Sequence, residues 1–172
     1  MLDAARRRGM IGDAANVDII SHARRFTGAL VGVRGSIIDL GSGGGVPGLV
    51  IAVDRPDLTV TLLDRRQKRT DFLQQMVQRL ELDARVDVVV DDADRFLGAG
   101  GQGHQQFDAA TARGFGPPAR TVRTALRAIR PGGRIVISDP PTGERWATVV
   151  ADLPLQRVEL GKRGLAVFDR IG

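Results

Sequence analysis

Apolar positions along the 172-residue chain switch repeatedly between the 3.6-residue period of a helix and the two-residue period of a strand. Residues 13–30 space Val17, Ile20, Ala23, Phe26 and Leu30 as one helical face, and residues 36–40 (SIIDL) follow as a short apolar strand. Residues 46–54 predict a helix with Pro47 in its first turn, where a missing N–H is harmless. Residues 58–63 (LTVTLL) alternate as a second strand, and residues 65–82 form an amphipathic helix facing inward through Phe72, Leu73, Met76 and Leu80. Third and fourth strands are predicted at 85–90 and 107–112, then a helix from Pro117-Pro118 to Ile129, stopped by RPGG at 130–133. A fifth strand at 134–138, a helix near 144–152 and two final strands near 155–160 and 165–170, joined through 161–164, complete the chain.

Strand and helix alternating five times, with apolar strands, predict a mostly parallel sheet covered on both faces. The closing hairpin makes it seven-stranded and suits the class I methyltransferase variant of the Rossmann fold. The expected organisation is one domain over 1–172, with a helical segment at 1–34 and the α/β core at 35–172. The glycine-rich piece GAGGQGHQQ (98–106) reads as a mobile surface loop that carries His104.

Composition removes several chemistries. There is no cysteine and only two histidines, His22 and His104, which excludes disulfides, thiolate nucleophiles and cysteine zinc sites and makes a metal cluster improbable. No apolar run reaches the roughly 20 residues of a membrane span, and the first 18 residues lack a signal-peptide core. The expectation is a cytoplasmic protein without a membrane partner, a monomer by default. Net charge is +5, and lysine stands only at Lys68 and Lys162, so 23 of the 25 cations are arginine. Genomic base composition explains that excess, and so does a phosphate-bearing partner, since the guanidinium fork matches phosphate.

The densest chemical signal is IIDLGSGGGVPGLVIA (37–52). In a doubly wound sheet the ligand lies beyond the carboxyl ends of the strands, cradled by the first strand–helix turn. Glycines there let backbone N–H groups approach a ligand closely. Asp64, ending the second strand 19 residues after Gly45, is placed to accept hydrogen bonds from both hydroxyls of a ribose. The dinucleotide fingerprint requires a third glycine where this chain has Val46; the glycines run Gly41, Gly43, Gly45 instead. With Asp39 the pattern is D-x-G-x-G-x-G, that of S-adenosylmethionine-dependent methyltransferases. Asp39 would orient the loop or meet the methionine ammonium.

DLGSGGGVPG (39–48) followed by TLLDRRQKRTDFL (61–73) resembles the RsmG (GidB) family, which methylates a guanine N7 of small-subunit ribosomal RNA. The likeness continues through DDADRF (91–96), FDAATARGF (107–115) and PGG (131–133), covering roughly residues 35–136. It implies S-adenosylmethionine as cofactor and ribosomal RNA or the small subunit as partner. Carried over, Gly41 and Val46 line the methionine end, with Asp39, Ser42, Gly43 and Gly45 in the same loop. Asp64 and Arg65 stand at the ribose, and Asp92, Ala93 and Asp94 beside the adenine. Arg113 sits by cofactor and target, the expected catalytic residue. Guanine N7 has an in-plane lone pair and needs no base, so catalysis reduces to positioning.

Two departures fall on the substrate side. The family's Asn-Leu-Thr signature in a longer N-terminal segment does not occur, and its Lys-Gly pair after the fifth strand is replaced by Ser138-Asp139-Pro140-Pro141. SDPP is similar to the motif of amino-group methyltransferases, but that motif follows the fourth strand and ends in an aromatic, where Thr142 stands here. A small-molecule acceptor and a non-catalytic cofactor-binding protein remain alternatives. Two basic surfaces suit RNA. One is the helical stripe Arg120, Arg123, Arg127, Arg130; the other is Arg65, Arg66, Lys68 and Arg69 at a helix N-terminus, where the macrodipole disfavours cations.

Overall fold

The computed structural model describes residues 1–139, 146–161 and 164–172. Seven strands form one sheet in the order β3-β2-β1-β4-β5-β7-β6. The strands β1 (Gly35–Leu40), β2 (Leu58–Asp64), β3 (Val86–Val90), β4 (Phe107–Ala112) and β5 (Ile129–Ser138) run parallel. β7 (Leu165–Arg170) is antiparallel to β5 and to β6 (Leu155–Arg157), the closing hairpin.

Each strand deals alternate residues to opposite faces. Ile37, Leu62, Ala109, Val136 and Val167 meet α2 (Asn16–Ala29), α3 (Gly48–Asp54) and α4 (Gln67–Arg79) through Phe26, Leu49, Phe72, Leu73 and Met76. Their neighbours Ile38, Leu63, Ala110, Ile135 and Phe168 meet α5 (Ala93–Phe96), α6 (Pro118–Ala128) and α7 (Trp146–Val150) through Phe96, Val122, Ala125 and Trp146. Burying each large apolar side chain contributes about 1.5–3 kcal/mol before the ordering cost.

The predicted elements stand, with these differences. On α2 Val17 is 71% exposed and Ile19 takes the buried place, and Arg130 of the basic stripe lies in β5 instead of on α6. A first helix, α1 (Leu2–Arg7), precedes those read from the periodicity and buries Leu2 and Ala5. One helical turn is too short to show a period. The single turn of α5 has the same cause: Asp92 caps it by accepting from the Asp94 amide at 2.8 Å. Leu80 is not on the inner face of α4; it lies beyond the helix end and is 39% exposed, and Val77 takes the buried place. RPGG does not precede the fifth strand but lies inside it, because Ile129 already pairs with Phe107 and the register shifts before Ala109. The 98–106 piece is not a loose loop. Gly103 is buried with its α-carbon close to the Phe96 ring, and His104 Nδ1 lies 2.9 Å from the Leu97 carbonyl oxygen. Pro140 and Pro141 of SDPP, with Thr142 and Glu144, lie outside the described residues.

The arginine excess is partly architectural. A helix leaves its last carbonyls without partners, and a cation there also favours the macrodipole. Arg55 donates to Leu30 O and Val33 O at 3.0 and 2.8 Å, and Arg134 to Ala29 O and Val31 O at 3.1 and 3.0 Å, closing α2. Arg85 reaches Ala52 O at the end of α3, and Arg170 reaches Ile129 O after α6 at 2.6 Å.

Candidate functional site

Parallel pairing brings the carboxyl ends of four strands into one row. Leu40 is opposite both Leu63 and Ala112, and Asp64 is opposite Val90. The turns leaving these strands enclose a hollow of about 270 Å³, lined among others by Gly41, Leu63, Asp64, Arg65, Arg66, Arg69, Asp91, Asp92, Ala93 and Phe115. Arg120 of α6 stands at its edge. That volume is just under the roughly 300–1,000 Å³ of sites that engulf whole ligands.

Asp64 is 4% exposed. Its Oδ2 accepts from the Gly43 N–H at 3.0 Å and from Arg69 Nη1 at 3.3 Å, and its Oδ1 from the Arg66 N–H at 2.9 Å. A carboxylate has about four acceptor positions, so one remains on Oδ1 for a ligand hydroxyl. The expected pair of ribose hydroxyls therefore finds room for one bond unless Arg69 moves. Phe115 is half-buried, and its ring lies over Gly41: a Cβ on that glycine would stand 3.0 Å from Phe115 Cδ2. An apolar wall with a carboxylate that keeps one acceptor position beside it fits the nucleoside part of S-adenosylmethionine.

Asp39 lies one layer deeper, 1% exposed. Its carboxylate accepts from Thr111 Oγ1 at 2.7 Å and from the Gly48 N–H at 3.2 Å, and Ser42 Oγ donates to its carbonyl at 2.8 Å. Burial pushes its carboxyl up to about 6, opposed by Thr111, by Gly48 and by the positive charge of Arg113. Of the two roles expected for Asp39, orienting the loop is the one the geometry serves. Gly48 has to be glycine for the same reason. A Cβ there would stand 2.7 Å from Asp39 Oδ2 and would collide with Leu62, so Gly48→Ala is expected to lower the unfolding free energy by about 1–3 kcal/mol in a urea titration.

The glycine loop is less exposed than its motif suggests. Ser42, Gly43, Gly44, Gly45 and Val46 are all buried. Val46 packs with Leu2, Ile19, Ala23 and Val50, and the α-carbon of Gly44 sits under Ile11, Ala5 and Met10. Of that loop Gly41 lines the hollow; Ser42, Gly43, Gly45 and Val46 shape it from behind, with Leu2 packed on Val46, Met10 near Gly43, and Leu49 and Leu73 against Gly45. Asp94 does not itself line the hollow: its carboxylate pairs with Arg120, which does, at 3.3 Å, and with Arg127. Arg65, Asp92 and Ala93 do line it.

Arg113 is half-buried at the end of β4 and makes no hydrogen bond or ion pair among the described residues. Burial draws its guanidinium below its usual value and the nearby Asp39 opposes that. Burial likewise lowers the His22 imidazole, with Arg113 and Arg25 adding to the effect, which places α2 beside this end of the sheet. Three contributors escaped motif reading. Arg69 and Thr111 hold the two buried aspartates, and Phe115 walls the hollow. For Arg69 the available signal was a cation five residues after Asp64, close enough to fold back on it.

Residues 15–139 match the family model GidB, described as rRNA small subunit methyltransferase G. The chain belongs to this family. A ribosomal RNA small subunit methyltransferase G of Salinispora arenicola is 45% identical over 103 residues, 59% of this chain and 42% of the relative. The protein of the same name from Thermotoga neapolitana is 38% identical over 112 residues, 65% of this chain and 47% of that one. The chain thus spans under half the length of these curated relatives. Among solved structures, a methyltransferase from Geobacter sulfurreducens superposes with a TM-score of 0.72 at 14% identity, covering 98% of this chain and 86% of that one. A SAM-dependent methyltransferase from the same organism, in complex with S-adenosyl-L-homocysteine, gives 0.63 at 23% identity over 81% and 65%. The fold is the α/β Rossmann-like fold of class I methyltransferases. No helix among the described residues is long and apolar enough to cross a membrane.

Proposed function

We propose that the GidB-family chain binds S-adenosylmethionine in the hollow at the carboxyl ends of β1 to β4 and transfers its methyl group to guanine N7 of small-subunit ribosomal RNA. The observation that carries the reading is the assembly of Gly41, Asp64, Asp92, Ala93 and Phe115 around one hollow in a chain whose residues 15–139 match the family. The cofactor supplies a methyl group on a positively charged sulfur. The chain's residues bind and orient. Asp64 accepts from a sugar hydroxyl, Phe115 and Ala93 cover the base, and Arg65 stands at the rim. Asp39, Ser42, Gly43, Gly45 and Val46 fix the turn from which Gly41 faces the ligand; Asp94 steadies α5 against α6.

Arg113 is the residue assigned to the acceptor. A half-buried guanidinium with no hydrogen-bond partner among the described residues is ready to donate to the guanine edge or to a phosphate. Guanine N7 is already nucleophilic, so holding nucleophile, methyl carbon and sulfur in line provides the acceleration. This needs neither a base nor a metal.

The test is methyl transfer from labelled S-adenosylmethionine to purified small subunits and to naked ribosomal RNA. Label mapped to a guanine N7, and lost by at least tenfold in Arg113→Met while cofactor affinity holds within a few fold, is the expected outcome. A chain that binds the cofactor in calorimetry but labels neither RNA substrate would sink the RNA reading.

A further inference from the structure

A second, larger hollow of about 760 Å³ opens between the turn after α1 and the first turns of α4. Arg8 comes to it from the N-terminal segment, and Arg66, Lys68 and Arg69 from the start of α4. Among the described residues lining it Asp71 is the one acid, and its carboxylate already accepts from Gln67 Nε2 at 2.7 Å. Counting Asp64, which pairs with Arg69, four cations face two anions and the trough carries +2.

What distinguishes three of these cations, Arg8, Arg66 and Lys68, is that the chain leaves them without counter-charges. The stripe Arg120, Arg123, Arg127 and Arg130, the other basic surface in the sequence, has every side chain paired with an acid, four cations on three carboxylates. Arg120 and Arg127 share Asp94, Arg123 pairs with Asp152 at 3.0 Å, and Arg130 pairs with Asp108 at 3.2 Å. In the trough, by contrast, the side chains of Arg8, Arg66 and Lys68 are exposed and make no hydrogen bond or ion pair among the described residues. Arg69 meets only the Asp64 carboxylate. The Arg8 guanidinium sits 5.0 Å from the centre of the Phe72 ring, which fixes the position of its charge and leaves its N–H groups free to donate. Bringing a cation from a distant segment toward three others is unfavourable unless an anion enters between them.

Arg66 and Arg69 line both hollows, so the trough runs on into the proposed cofactor site. Guanine N7 points into the deep, narrow major groove of an RNA duplex, which side chains do not read, so an N7 acceptor has to be presented from an unpaired strand. The geometry points to the trough as the seat of the phosphodiester backbone of that unpaired RNA strand, next to the target nucleotide. The inference rests on the RNA methyltransferase reading and adds where the strand lies.

Arg8 and Lys68 line the trough alone, which makes them the variants of choice. Binding of the full chain to fluorescein-labelled oligouridylate and to a labelled small-subunit RNA fragment is followed by anisotropy across a salt series. Each single-strand phosphate contact contributes about 0.7 to the slope of log K against log salt, so Arg8→Ala/Lys68→Ala should lower that slope by about 1.4 and weaken binding roughly tenfold. Cofactor affinity in calorimetry should stay unchanged, which also reports that the fold is intact. Arg123→Ala on α6 combined with Arg130→Ala at the start of β5 should change neither RNA slope nor RNA affinity by more than twofold. An unchanged slope in the trough variant, an equal loss in the stripe variant, or equal displacement of the RNA by polyglutamate overturns the assignment. RNA methylation with an unchanged slope would remove the trough and leave the function. A trough-dependent slope without methylation of any RNA would do the reverse.

Discussion

Replacing Asp64 with alanine is expected to weaken S-adenosylmethionine binding by roughly 10- to 150-fold and to lower the unfolding free energy by about 1–3 kcal/mol. Both numbers follow from what the carboxylate holds. A hydrogen bond to a charged acceptor contributes about 1.5–3 kcal/mol, and each 1.4 kcal/mol is tenfold in affinity. The stability loss comes from the Gly43 amide, a buried donor whose partner is Asp64 Oδ2. The Arg66 amide lies nearer the surface and finds water, so it adds little. Asp64→Asn keeps one acceptor oxygen but points its amide at a second donor, and should fall between parent and alanine variant in both measurements. Calorimetric titration with the cofactor and urea unfolding report the two effects separately. An alanine variant that binds the cofactor as tightly as the parent would remove Asp64 from the site.

The strands and long helices were legible because their apolar residues repeat over enough positions to reveal a period. Every parallel strand of the core was anticipated within a few residues, β5 excepted, where a Pro-Gly-Gly that reads as a stop sits inside a strand across a register shift. The site was legible as a motif but not as a surface. The glycine loop marks the right turn, yet whether a loop residue faces a ligand depends on what packs over it. Here α1, too short to show a period, and the turn after it lie across Gly44 and Val46, while Leu49 and Leu73 pack against Gly45. The partners of Asp94 were hidden for a related reason. Its acidity was visible, but its arginine partners are 26 and 33 residues away, and only the packing of α6 on the sheet brings them close.

The same contrast sorts the arginines. Those that close helix ends or pair with acids are spent on architecture, and composition alone does not tell them from the few that stay unmatched. The rule that cations avoid a helix N-terminus singled out residues 65–69 in the sequence. Arg8, which completes the trough, carried no such mark because it arrives from a separate segment.

A second large effect is expected at Asp39, and its sign is set by burial. In the unfolded chain this carboxyl titrates near its ordinary 3.8; in the fold burial raises it to about 6. Between those values the folded state holds more protons than the unfolded state, so stability falls as pH rises. The loss is complete above about pH 6 and absent below about pH 4, and two units correspond to roughly 3 kcal/mol. Asp39→Asn has no such titration. Its oxygen still accepts from Thr111, but its amide faces the Gly48 N–H, which gives a cost independent of pH. The stability difference, parent minus variant, should therefore shrink by about 3 kcal/mol from pH 4 to pH 7 in urea titrations. Parallel pH curves for the two proteins would show that Asp39 does not titrate in this window. Near neutral pH the fold thus carries an ionised, buried carboxylate that lowers its stability, and the charge it faces is Arg113. Such a breach of the rule against buried charge belongs at a functional site. With Asp39 ionised, Arg113 is held at the end of β4 without a direct ion pair, and its N–H groups remain for the acceptor.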